Sequence, residues 1–146
     1  MTTTDKELDE LLNDIEMKCD PLIACKEVND FMLGCLSLIR HKLPRISLEA
    51  MEVLEAYFAG RATVATVNDM RVKCWQHIKD EYKGIDDSNP EVSAIRAVIF
   101  ALGAHREAEQ RDIVDHLSCF LSFVNQVEPH REEEEKLLRR YFTKCI

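Results

Sequence analysis

Glycine and proline are scarce, with four of each in 146 residues. A chain of many short strands needs a turn signal roughly every 8–12 residues, so this scarcity disfavours an all-β sandwich or barrel. Aromatic residues make up only 7%, with a single tryptophan. Long apolar runs are missing too. No stretch reaches the roughly 18 uninterrupted apolar residues of a membrane helix, and no membrane association is expected. Positive charge falls short of negative: 19 Lys and Arg stand against 27 Asp and Glu, a formal net charge of -8. Nucleic acids are bound by displacing counterions with Lys and Arg, so they are not expected partners. No CxxC pair occurs among Cys19, Cys25, Cys35, Cys74, Cys119 and Cys145, which argues against structural zinc. Met1 to Asp14 is polar and acidic and lacks the basic-then-apolar order of an export signal. The cysteines are therefore expected to be reduced in a cytoplasmic protein, most of them serving as small hydrophobes on helix faces.

What remains is a globular composition, 46% apolar and 32% charged, at a length that suits one domain over residues 1–146. The apolar spacing is helical throughout. Thr4 and Glu7 match a capping box ahead of Leu8, Leu11, Leu12 and Ile15. Asp20-Pro21 opens a second helix to about Lys42, with Val28, Phe31, Met32, Cys35, Leu36 and Ile39 inward. Ser47 is the expected N-cap of a third, whose apolar side runs Leu48, Met51, Leu54, Tyr57, Phe58 up to a C′ glycine at Gly60. Thr63 restarts the chain, and Val64, Val67, Cys74, Trp75, Ile78 and Tyr82 are expected to face inward before Gly84.

Asn89-Pro90 caps a fifth helix of strongly apolar character. Its Ala94, Ala97 and Ala101 allow a neighbour to approach closely. The register is less sharp from Ala104, after which Ile113, Leu117, Phe120, Leu121, Val124 and Val127 mark a sixth helix. Leu137, Leu138, Tyr141, Phe142 and Cys145 mark a seventh. Short connections make consecutive helices antiparallel neighbours. The expected fold is all-α, a single compact bundle of about seven antiparallel-packed helices.

Few constellations invite chemistry. Asp112 and His116 stand at i, i+4, the spacing of an acid/base dyad or half a metal site, but equally of a surface pair that supports a helix. Cys74 has His77 at i+3, yet lies on the apolar stripe, where burial is the simpler reading. The carboxylate runs Asp9-Glu10, Asp86-Asp87 and Glu132 to Glu135 read as solvated surface. There is no HExxH, GxSxG or phosphate loop. No catalytic, cofactor-binding or metal-binding residue is assigned, and the chain is expected not to be an enzyme.

The charge is unevenly spread. Met1 to Asp30 holds nine acids and three lysines, and Asp80 to Glu91 holds five acids against Lys83. Folded together, these clusters would make an acidic wall suited to a cationic partner. The candidate partner-binding residues are Asp9, Glu10, Asp14, Glu16, Asp86 and Asp87.

One segment bears a resemblance. Leu54-Glu55-Ala56-Tyr57-Phe58-Ala59-Gly60-Arg61-Ala62-Thr63 is followed by Arg71, Cys74 and Trp75, then Pro90-Glu91-Val92 and Ala94-Ile95-Arg96-Ala97. This order, across about Ile46 to Leu102, resembles helical immunity proteins of bacterial polymorphic or secreted toxin systems. The resemblance implies a cytoplasmic, non-enzymatic antidote that binds a cognate protein toxin and covers its active site. It carries no catalytic residues. The toxin would present a basic surface to the acidic wall, and self-association stays open. A helical adaptor unrelated to toxins, binding through a groove between helices, is the alternative.

Overall fold

Helix α5 (Pro90–Gly103) sets the architecture because its sequence is apolar almost all round. A helix without a polar face must be enclosed. Ten of its fourteen residues are buried, including Val92, Ile95, Val98 and Leu102. It packs against α6 (Ile113–Val127), α4 (Val64–Tyr82), α3 (Arg45–Phe58) and α2 (Pro21–Leu38). Ala94, Ala97 and Ala101 are all buried at these approaches. The computed structural model describes residues 8, 10–15, 21–82, 89–103 and 113–142; for 21–26 and 113–115 it describes the backbone. Among the described residues there are seven helical stretches and no strand. The first, α1, comprises 10–15, and the last is α7 (Arg131–Tyr141).

The caps follow the sequence signals in most places. Gly60 has φ +77°, a conformation that costs an L-residue strain, and it closes α3 in a Schellman motif. The Arg61 amide donates to Ala56 O at 2.8 Å and the Gly60 amide to Tyr57 O at 3.1 Å. Thr63 Oγ1 accepts from the Thr66 amide at 3.3 Å, and Asn89 Oδ1 accepts from the Glu91 amide at 2.9 Å. Both are N-cap bonds.

Elsewhere the structure corrects the expectation. Helix α3 begins at Arg45 with Pro44 in the N-cap position, so Ser47 lies in its first turn, fully buried and not capping. The second helix stops at Leu38, and Arg40–Lys42 tightens into a 3-10 turn. Inside α4 the buried stripe is Val67, Met70, Cys74 and Ile78. Val64 and Trp75, expected inward, stand one position off this stripe and are exposed, as is Phe58 at the end of α3. Cys35 and Cys74 are buried thiols, whereas Cys119 is exposed. Thr4, Asp20 and Cys19 lie outside the described residues.

The neighbour pairs α3–α4, α4–α5 and α5–α6 follow chain order, but α7 packs chiefly across α2. Gly34 permits that approach: a Cβ there would meet Leu137 Cδ1 at 3.2 Å. Phe31 and Phe142 meet edge to face across the same junction, with ring centroids 6.3 Å apart. A single carboxylate, Glu128, ties the 3-10 turn to the α6–α7 connection. Glu128 receives His130 at 2.5 Å, Lys42 at 3.0 Å and His41 at 3.1 Å. Those three donors, His130 first, pull the Glu128 carboxyl down to about 2. No helix among the described residues is long and apolar enough to cross a membrane.

Candidate functional site

Two helical stripes and one turn of a third helix converge beside α5. On α4, Arg71 and Trp75 stand at i, i+4. On α5, Arg96, Ile99, Phe100 and Gly103 recur at i, i+3, i+4 and i+7, which places them on one face. His116 from α6 closes the end. Together they enclose a cleft of about 240 Å³.

Its floor is a ladder of flat groups. The Arg96 guanidinium lies 4.3 Å from the Phe123 ring centroid, a cation–π contact. Phe123 meets Phe100 at 5.6 Å, and Phe100 meets the His116 ring at 5.0 Å. The His116 Nε2–H donates to the Phe100 carbonyl at 2.8 Å, which fixes the ring's orientation. Among the described residues no acidic side chain lines the cleft. Arg71 Nε is buried and has no hydrogen-bond partner among the described residues. Gly103 lies against it, and a Cβ there would rest in ordinary van der Waals contact with that nitrogen at 3.8 Å. In a chain of net charge -8, this is a cationic, aromatic recess.

A second cleft, of about 360 Å³, lies between α1, α6 and the start of α7. Leu8 and Leu12 face Ser118, Ser122, Asn125 and Arg131 across it. Behind Asn125 is a buried carboxylate. Glu134 is fully enclosed; its Oε1 accepts from Asn125 Nδ2 at 3.2 Å, and its Oε2 has no hydrogen-bond partner among the described residues. Burial lifts its carboxyl to about 7, against the opposing pull of Asn125, Arg131 and His130. Reading Glu132 to Glu135 as uniformly solvated is thus wrong at Glu134. Glu132 and Glu133 are exposed, whereas Glu134 stands four residues before Leu138 on the inner stripe. That spacing was the available signal.

The residues singled out from sequence are only partly gathered. Of the acidic candidates, Glu10 is exposed and Asp14 half-buried on α1. Asp9, Glu16, Asp86 and Asp87 lie outside the described residues, as does Asp112, so the pairing of Asp112 with His116 is not described. His116 belongs instead to the cationic cleft. Cys74 is no activated thiol: burial, the largest influence on it, pushes it up to about 12, with Lys73 opposing. His77 packs its ring against Tyr82 at 6.0 Å. Among the described residues no group of three or more His, Cys, Asp or Glu could hold a metal ion. In the sequence, Arg71 and Arg96 stand out only within the segment that bears the resemblance. The signal that points to the cleft is Arg96, the one charge between Val92 and Gly103.

Comparison with family models, curated proteins and solved structures finds no match to this chain.

Proposed function

We propose that the protein works by binding another protein, as a non-enzymatic immunity protein that occludes the active site of a cognate bacterial toxin. The observation that carries the binding reading is an outward stripe on α4. Val64, Val72 and Trp75 fall on one side of the helix and are 45%, 67% and 38% exposed. Large apolar side chains exposed on one side of a helix are candidates for an interaction surface, and tryptophan is enriched among the side chains that dominate binding energy. The stripe lies inside the Ile46–Leu102 segment that resembles immunity proteins, and Arg71, Trp75 and Arg96 from that segment meet at one cleft. Charge supports the toxin class of partner. The described acids Glu10, Asp80, Glu81 and Glu91 are exposed, and a negative surface of this kind steers a cationic partner.

Co-expression with the product of the adjacent reading frame tests the reading. Tagged protein is expected to retain that product and to protect cells producing it. Val72→Glu, at a surface position where folding is little affected, should weaken retention at least tenfold. A chain that neither retains the neighbour nor protects against it would end the toxin reading.

A second reading, a helical adaptor unrelated to toxins, is favoured by the apolar character of the stripe itself. Ionic strength separates the two. A toxin held by the acidic surface as well as the stripe should be released between about 0.05 and 0.5 M salt, whereas a partner held by the apolar stripe alone should stay bound.

A further inference from the structure

The cleft between α4, α5 and α6 has a composition that protein docking alone does not require. We propose that it is a binding site for a small planar carboxylate, an aromatic acid in chemical class. This holds whichever protein partner the chain has.

Three observations define the ligand. First, two guanidinium groups line the cleft, and none of the described lining residues is acidic. A guanidinium presents paired donors in a plane that matches a carboxylate's two oxygens. Arg71 brings one of the two groups from α4, and its own Nε is buried with no hydrogen-bond partner among the described residues. Second, apart from the His116 ring, whose Nε2–H is bonded to the Phe100 carbonyl, the other described walls are apolar. Trp75, Ile99 and Phe100 give no further charged donors, which favours one negative charge on an apolar body over a multiply charged phosphate. Third, the space is small. At about 240 Å³ it falls below the range of roughly 300–1,000 Å³ usual for drug-sized ligands, which limits the occupant to about one ring and its acid group.

The geometry assigns the roles. Arg71 meets the carboxylate from α4, beside Gly103. Trp75, partly exposed at the rim, covers one face of the ring. Arg96 is held in place by its stack on Phe123, and His116 by its bond to the Phe100 carbonyl, so this side of the site is preorganised.

Trp75 is the only tryptophan in the chain, so its fluorescence reports on this cleft alone. Titration of the full chain with benzoate is expected to change Trp75 emission saturably. Benzamide, the same ring without the charge, should bind at least tenfold more weakly, and Arg71→Gln should weaken benzoate binding at least tenfold. Inorganic phosphate should not compete at equal concentration. In the unmodified protein, benzoate should also shift the Trp75 indole and arginine Nε resonances. That measurement decides the matter should Arg71→Gln fail to fold. No saturable response, equal binding of benzamide, effective competition by phosphate or unmoved resonances would each overturn the assignment.

Discussion

Glu134 shows how one side chain can hold folding and pH together. Its carboxyl is enclosed at the α2–α7 junction, near the buried Cys35, whose thiol is pushed well up by its own burial first and by the Glu134 charge second. Burial lifts Glu134 from 4.5 to about 7. The folded state thus holds a proton that the unfolded chain has already released. The favourable contribution is complete below about pH 4.5, declines as pH rises toward 7, and is absent above it. We predict that Glu134→Gln, which keeps the shape and removes the charge, stabilises the protein at pH 8 by roughly 2–3 kcal/mol and leaves it nearly unchanged at pH 5. Urea denaturation of both proteins at the two pH values measures this. An equal effect at both would refute the burial account. The case also shows a limit of reading residues by type, because four consecutive glutamates look solvated. Only the period of the inner stripe separates Glu134 from its neighbours.

At the scale of elements, most of the fold was legible because helix ends carry local chemistry. Gly60, Thr63 and Asn89-Pro90 cap where the sequence places them, since each cap depends on its own side chain or backbone freedom and not on distant packing. Ser47 misled for the opposite reason. A serine ahead of an apolar run is a cap only if the helix starts there, and Pro44 allowed α3 to start earlier. The Trp75 side of α4 was misassigned because one position of helical rotation, about 100°, separates a buried stripe from its flank. The cleft was not legible at all. It needs Arg71, Phe100 and His116 from three helices, whose packing no local pattern states.

The Schellman closure of α3 yields a clean test. A Cβ at Gly60 would meet nothing within 4 Å, so the cost of Gly60→Ala is purely conformational. Stability should fall by about 1–2 kcal/mol, and Gly60→Asn should recover part of that, since asparagine tolerates a positive φ better. Chemical denaturation midpoints would show it, and an unchanged midpoint for the alanine variant would contradict the geometry.

At the scale of the whole molecule, charge and core divide differently along the chain. The clusters at 1–30 and 80–91 carry more negative charge than the entire protein, so the remaining residues sum to a small positive excess. The cationic cleft falls within that remainder. The core ignores this division. One buried cluster includes residues from Leu8 to Phe142 and draws on all seven α-helical stretches.

The enclosure of α5 has a consequence for how the polypeptide can be divided. A cut between residues 82 and 90 leaves α1 to α4 on one piece with no central helix to close upon. The other piece carries α5 stripped of three of the four helices it packs against. Neither can satisfy its apolar surface alone, yet their contacts are complementary, so the pieces should behave as obligate halves. Expressed apart, they should show little helical circular dichroism; mixed, they should regain it in a one-to-one complex. Autonomous folding of either half would mean that α5 is not the keystone its burial makes it.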